Sequence, residues 1–203
     1  MSYIIAGIHT GIGKTVCSAV ICQTLGYDYW KPVQAGELEN SDSIFIKEHV
    51  SNPNCKVHPE RYRLSIPASP HHAADVDGVE IKPADFVLPI TTNKLIIETA
   101  GGIMSPLAKD FLNIDLTKQF NLPVILVSNN YLGSINHTLL TVEALRKRDI
   151  PIKGLVFSGE IVGSTRAYIL EYTKLPLLFS IHQISKISRD AIALFAKTVS
   201  INL

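Results

Sequence analysis

The chain has 203 residues, of which 46% are hydrophobic and 18% charged, a composition that excludes a disordered or fibrous protein and suits one globular domain. Its 19 basic and 18 acidic residues give a formal net charge of +1, so nothing points to a nucleic acid or membrane partner. The cysteines Cys17, Cys22 and Cys55 do not predict a disulfide framework. Because we find neither a signal peptide nor an apolar run that could span a bilayer, we expect a cytoplasmic protein.

The apolar runs and helical patterns alternate along the chain. Strands are predicted at residues 3–7, 29–33, 94–98, 124–127, 154–157 and 177–181. Helices are predicted at residues 14–25, 42–49, 115–120, 134–148, 165–172 and 189–199. Since the strand segments are almost continuously apolar, they are expected to be buried on both faces. The pattern predicts a single-domain α/β fold of the P-loop NTPase kind, with a mostly parallel central sheet and helices on both faces.

Residues 51–92 form the least regular stretch and are rich in Pro, His, Asn and Asp. They are either a floppy insertion or an ordered loop that shapes the site. We favour the ordered loop because long loops in compact domains are often functional. Its segment 67–73 would be the part near a ligand.

A glycine-rich stretch, Gly-Ile-His-Thr-Gly-Ile-Gly-Lys-Thr at residues 7–15, joins the first predicted strand to the first predicted helix. That context is typical of a P-loop, whose backbone N–H groups and helix N-terminus bind phosphate. Lys14 can reach the β- and γ-phosphates, and the Thr15 hydroxyl can ligate Mg²⁺. Ile8 stands where the common spacing has glycine, so either the loop is one residue longer than the common form or the motif is the segment 10–15. The alternative, an ordinary glycine-rich turn, is disfavoured by its position after an apolar strand.

Three more charged residues are candidates for the same site. Glu98 ends a predicted apolar strand and precedes two glycines, which places it where parallel sheets bind ligands. Asp42 begins a predicted helix and could join Glu98 and Thr15 around Mg²⁺, although it could equally be a solvated helix-start charge. Lys31 ends a short aromatic-rich strand and could neutralise charge on a transferred phosphoryl group. Its alternative is a surface lysine on an edge strand.

Seven segments in this order resemble the motifs of dethiobiotin synthetase, the ATP-dependent enzyme family of biotin synthesis. Residues 7–15 are similar to its loop Gly-Thr-Asp-Thr-x-Val-Gly-Lys-Thr, and residues 30–36 to its Tyr-Lys-Pro-Val motif with a following glycine. The remaining matches are Asn-Ser-Asp at residues 40–42, Pro-x-Ser-Pro-His-x-Ala at 67–73, Glu-x-Ala-Gly-Gly at 98–102, and the segments 122–127 and 132–141.

The resemblance implies a reaction that uses ATP and Mg²⁺. CO₂ adds to one amine of 7,8-diaminononanoate, the resulting carbamate attacks the γ-phosphate, and the second amine closes a ureido ring. Lys31, Lys14 and Thr10 would be catalytic. Nucleotide contacts would come from His9, Thr10, Gly11, Ile12, Gly13, Lys14, Thr15, Val16, Asp42, Glu98, Gly101, Ser158 and Gly159, and metal contacts from Thr15, Asp42 and Glu98. Substrate contacts would come from Lys31, Ala35, Ser105, Pro106, and Gly133 and Asn136 of the second chain of a homodimer.

The chain also departs from the family pattern. His9 replaces the usual aspartate of the loop, and Ala35 stands where a hydroxyl residue usually contacts the substrate. Ser158 and Gly159 occupy the place of the Asn-Asp pair that usually reads adenine. The part of the site that would recognise the base therefore departs most from the family pattern. We predict weak discrimination between nucleotide bases, or looser nucleotide binding than is usual in the family.

Three other functions remain to be weighed. A ParA/MinD-like switch ATPase would carry a signature lysine in its loop, but His9 stands at that position. Another amidoligase of the superfamily, acting on a larger acid, is disfavoured by the short chain. A degenerate, non-catalytic relative is disfavoured because Lys14, Lys31, Asp42 and Glu98 are all present.

Overall fold

The computed structural model describes residues 1–184, 186–201 and 203. The strands are β1 (Tyr3–Gly7), β2 (Asp28–Trp30), β3 (Val33–Ala35), β4 (Val57–His58), β5 (Tyr62–Leu64), β6 (Leu95–Gly102), β7 (Pro106–Ala108), β8 (Phe111–Leu112), β9 (Val124–Asn129), β10 (Ile152–Ser158) and β11 (Leu177–Ile181). The helices are α1 (Lys14–Leu25), α2 (Asp42–His49), α3 (Pro70–Asp77), α4 (Asn113–Phe120), α5 (Ser134–Arg146), α6 (Gly163–Thr173) and α7 (Arg189–Thr198).

Seven strands form the central sheet in the order β11-β10-β9-β1-β6-β2-β4, and every pair is parallel. Two groups of helices pack together, α1 with α2 and α7, and α5 with α6, whereas α3 and α4 contact strands. This architecture confirms the predicted α/β class with a parallel central sheet. None of the helices described here has the length and apolar character needed to cross a membrane.

The first strand and helix follow directly from the sequence. All five residues of β1 are buried between β6 and β9, as its continuous apolar run predicts. Gly13 and Gly26 flank α1 with φ of 93° and 67°, the left-handed region that glycine adopts at low cost. Cys17 and Cys22 are buried in α1, where a free thiol packs as a small apolar group. The loop between β1 and α1 is therefore held at both ends.

The prediction of one strand over residues 29–33 is wrong. Strand β2 ends at Trp30, and β3 begins at Val33 in a different sheet, where it pairs with β5. Pro32 has no N–H to donate to a ladder, so the chain breaks there and changes direction. Other predicted elements are present, and where their ends differ, they differ by one to four residues. The break matters because it places Lys31 between two sheets.

Residues 51–92 are ordered and contain β4, β5 and α3. The two-stranded sheet of β3 and β5 packs with α3 and the hairpin of β7 and β8 around a second apolar cluster. Its most buried members are Leu64, Ala73 and Leu107, whose exposed fraction is 0%. This small core supports one side of the cleft described below, and the favoured interpretation of an ordered loop is therefore confirmed.

A buried polar cluster fixes the start of β2. The carboxylate of Asp28 accepts hydrogen bonds from Thr91 and Asn93, and its Oδ2 lies 2.9 Å from Nε2 of His58. Burial acts to raise the pKa of Asp28, but these hydrogen bonds, led by that with His58, outweigh burial and keep the pKa below its usual value. The cluster ties residues 56–58 and 91–94 to the sheet.

Candidate active site

A cleft of about 550 Å³ lies at the carboxyl end of β1 and β6, where ligands bind in open parallel sheets. It brings together twelve of the predicted site residues: Thr10, Gly11, Ile12, Gly13, Lys14, Thr15, Lys31, Ala35, Asp42, Glu98, Gly101 and Ser105. The segment 67–70 also lines it, as expected for the motif at residues 67–73. Gln34, Glu37 and Ala100 complete the wall and were not predicted.

The glycine-rich loop forms one side of the cleft. Gly11 and Gly13 both have positive φ, 71° and 93°, so this backbone path disfavours other residues. The Lys14 ammonium folds back over the loop and donates to the carbonyl of His9 at 3.1 Å. Burial lowers the pKa of Lys14 to about 8, although the charge of Glu98 opposes the shift. The loop thus holds a desolvated cation at the start of α1.

Thr15 lies between two carboxylates. Its Oγ1 is 2.8 Å from Oδ1 of Asp42 and 2.9 Å from Oε1 of Glu98, although these residues come from different elements. Three oxygen donors at one point are the ligand type that Mg²⁺ prefers, and the open cleft leaves room for water and phosphate oxygens. The residues present therefore fit a magnesium ion, in agreement with the donor set expected from the sequence.

Lys31 is buried beside the same carboxylates. Its ammonium forms an ion pair with Asp42 and lies 3.6 Å from Oε1 of Glu98. Burial alone would lower the pKa of Lys31, but the charges of Glu98 and Asp42 outweigh burial and raise it. Since the Lys31 side chain is 7% exposed and that of Asp42 29%, the alternatives of a surface lysine and a solvated helix-start charge are wrong.

Two buried hydroxyls hold Glu98 and were not found from the sequence. Ser18 donates to Oε2 of Glu98 at 2.8 Å, and Tyr29 donates to the same oxygen at 3.0 Å. Burial, and next the charge of Glu98, raises the pKa of Tyr29 well above its usual value, so the phenol stays a neutral donor. Spacing along the chain places Tyr29 two residues before Lys31 in an extended segment and Ser18 four residues after Lys14 in a helix, so each shares a face with a predicted site residue. It does not indicate their contacts with Glu98, which depend on how the strands and helix pack.

Seven predicted site residues lie outside the cleft in the single chain: His9, Val16, Pro106, Gly133, Asn136, Ser158 and Gly159. His9 and Pro106 line a neighbouring depression of about 460 Å³. Val16 packs against the main core, because it faces inward on α1. Ser158 packs against the loop, since a Cβ added at Gly13 would come 2.2 Å from its Oγ.

The other three of these residues stand further along the same edge of the sheet. Gly159 follows the end of β10 and adjoins Asn129. Gly133 precedes α5 with φ of 100°, and Asn136 is exposed in the first turn of that helix. Their positions place them beside the cleft rather than in its wall.

The fold and the site define a P-loop nucleotide-binding protein. The sequence profile of a family described as "AAA domain" matches residues 1–191. The ATP-dependent dethiobiotin synthetase of Chlamydia pneumoniae is 44% identical over 194 residues, which cover 96% of this chain and 87% of that protein. That of Cytophaga hutchinsonii is 45% identical over 195 residues, covering 96% and 94%. The chain belongs to the ATP-dependent dethiobiotin synthetase family.

A solved structure of a cell division ATPase has a similar fold. The cell division ATPase MinD of Pyrococcus furiosus superposes with a TM-score of 0.56 and covers 97% of this chain and 98% of its own. Its sequence identity is 14%, so the likeness concerns the fold alone.

Proposed function

We propose that the chain is an ATP-dependent dethiobiotin synthetase, which converts 7,8-diaminononanoate, CO₂ and ATP into dethiobiotin, ADP and phosphate. The observation that carries this proposal is the convergence of Lys14, Lys31, Asp42 and Glu98 on one cleft beside a P-loop. Phosphoryl transfer depends mainly on positioning and on stabilising charge, and this cluster supplies both. The family membership supports the same reaction.

Magnesium completes the proposed site. Thr15, Asp42 and Glu98 would hold the ion, and Ser18 and Tyr29 keep the Glu98 carboxylate oriented toward it. When bound, Mg²⁺ supplies positive charge to the phosphate oxygens of ATP.

The chain's own cations then act on the transferred group. Lys14 and Lys31 lie in the same cleft and neutralise charge as the carbamate oxygen attacks the γ-phosphate. Thr10 lines the cleft near Gly101 and offers a hydroxyl to the carbamate or phosphate. Because both lysines are buried, their charges act in a medium of low polarity, where they are stronger than in water.

The substrate would lie along the wall made by Ala35 and Ser105, with Pro106 at the adjoining depression. Its carboxylate tail would reach a second copy of the chain, where Gly133 and Asn136 mark the start of α5. A helix N-terminus is a favourable place for a carboxylate. The proposal therefore includes a homodimer.

The nucleotide would extend from the loop past His9 and Val16 toward Ser158 and Gly159. Ser158 lies against Gly13, so the end of β10 is close enough to adjoin the nucleotide. We assign the enzyme to the cytoplasm, which suits its free cysteines.

The test is direct. The protein is incubated with 7,8-diaminononanoate, bicarbonate, Mg²⁺ and ATP, and dethiobiotin is sought by mass spectrometry. A parallel reaction without the diamine measures ATP hydrolysis alone. Dethiobiotin that depends on ATP supports the proposal, whereas ATP hydrolysis without any dethiobiotin refutes it and favours a switch ATPase.

A further inference from the structure

The hydroxyl of Ser69 does not cap the helix that it precedes. A serine before a helix usually accepts a hydrogen bond from a backbone N–H of the first turn. Ser69 precedes α3 but makes no such bond, and its Oγ lies 3.0 Å from Nδ1 of His71. Both residues are half-buried, and Ser69 lines the cleft. The pair therefore presents a hydroxyl, bonded to an imidazole, to the contents of the cleft.

The wall that carries Ser69 is fixed to the loop that follows Lys31. Gly36 and Pro67 are in direct contact, since a Cβ added at Gly36 would come 2.5 Å from Pro67. Ala73 and Leu64 are fully buried in the second core beneath this wall. Ser69 is thus held by packed elements, and its position relative to the cations of the cleft is fixed.

Several other oxygens of the cleft already have partners. Glu98 and Asp42 are bonded to Thr15 and paired with Lys31. The Ser105 hydroxyl accepts from the backbone N–H of Gly102 at 3.1 Å. Among the hydroxyls that line the described cleft, Ser69 is the one that an imidazole holds. A neutral imidazole is a general base suited to neutral pH.

We propose that Ser69 and His71 form a proton relay for the ring-closing step, an inference that rests on the proposed function. As the free amine of the substrate forms its bond to the carbamoyl carbon, the bond from that carbon to the phosphate oxygen breaks, and phosphate leaves with the electron pair. The amine must then lose a proton. Ser69 Oγ accepts this proton while its own passes to Nδ1 of His71, so the charge ends on the imidazole.

His71 gives the proton a route to solvent on the side of the relay that faces away from the cleft. His71 also lines a second cavity of about 680 Å³, which it shares with Asp75, Glu80 and Lys109. Asp75, Glu80 and Lys109 are exposed, so this cavity is open to water. A proton received by His71 therefore reaches solvent without passing back through the cleft. Ser69 contacts the substrate and is catalytic, whereas His71 acts through it.

The experiment compares kcat and KM for the diamine in variants of the full-length protein. Ser69→Ala and His71→Asn should each lower kcat about 100-fold, the lower end of the range for general base catalysis, with little change in KM. Ser69→Thr keeps the hydroxyl and should recover most of the rate. His72 provides the matched control, because it is exposed in the same turn and makes no bond to Ser69. His72→Asn should behave as wild type.

Binding of ADP, measured by calorimetry, shows whether each variant is folded. If the wild type forms dethiobiotin while folded Ser69→Ala or His71→Asn keeps its kcat, the relay is refuted and the proposed function stands. A loss confined to KM would also refute the relay. If Ser69→Ala fails to bind ADP, His71→Asn and Ser69→Thr decide by the same criterion. A wild type that forms no dethiobiotin refutes the proposed function itself.

Discussion

Replacing Lys31 by methionine removes a buried charge while keeping most of the side-chain volume. If Lys31 stabilises the transferred phosphoryl group, as proposed, its loss should lower kcat by about 10²- to 10³-fold, the cost of removing one preorganised donor, or about 2.7–4 kcal/mol. The fold should survive, because the methionine fills the same space.

The same change should also lower the free energy of unfolding. Removing one partner of a buried ion pair typically costs about 3–5 kcal/mol. Here the lower end applies, because Glu98 keeps its hydrogen bonds from Ser18 and Tyr29 and Asp42 keeps its contact with the Thr15 hydroxyl. A loss of about 3 kcal/mol corresponds to a fall in Tm of about 6–12 °C for a chain of this size. Added Mg²⁺ should restore part of the lost stability, because it neutralises the carboxylates of Asp42 and Glu98.

The assay combines steady-state dethiobiotin formation with thermal denaturation, each measured with and without Mg²⁺. Lys47→Met is the control, since Lys47 is exposed on α2 and should change neither quantity. If Lys31→Met keeps a near wild-type kcat, Lys31 has been assigned the wrong role. If Lys31→Met and the wild type have the same Tm when both are measured without Mg²⁺, the loss of a buried charge partner does not destabilise the fold as argued.

Three further predictions concern the walls and the base end of the site. Gly36→Ala should lower stability by at least about 1 kcal/mol more than Gly78→Ala in denaturant titrations, because both have positive φ but only the first would meet Pro67; equal losses would refute the steric argument. Asp28→Asn should cost about 1–3 kcal/mol at neutral pH, since it places amide hydrogens against donors. Because the folded-state pKa of Asp28 is lowered, its contribution is complete above about pH 4 and fades as pH falls through that pKa, so the difference from wild type should shrink in acid; a constant difference would contradict this. At the end of β10, Ser158 in place of the usual asparagine should permit similar turnover with ATP, GTP and CTP, and a strong preference for ATP with tight binding would overturn this reading.

The local sequence pattern was sufficient to predict those elements whose ends are marked by nearby residues. The ends of β1, α1, α2 and β11 agree with the sequence prediction, because apolar runs, flanking glycines and a capping serine mark them. The break at Pro32 could have been predicted from its missing N–H. The pairing of β3 with β5 could not, since it joins distant segments and depends on the second core.

The residues of the candidate site could likewise be predicted from the sequence only where they have a local signature. Lys14, Thr15 and Glu98 were identified because a phosphate loop and an acid at a strand end have local signatures. The hydroxyl of Tyr29 was missed, since its contact with Glu98 exists only once β2 and β6 are adjacent. The orientation of Ser69 toward His71 likewise depends on where α3 packs.

The buried charges on the floor of the cleft cancel one another. Lys14 and Lys31 contribute two positive charges to the cleft, and Asp42 and Glu98 two negative ones, with Lys31 in direct contact with both carboxylates. The phosphates of a nucleotide add negative charge to the cleft, and these side chains, whose own charges cancel, do not neutralise it. The nucleotide should therefore be taken up together with its own counterion, and the concentration of free Mg²⁺ would set how much of the enzyme is occupied in the cell.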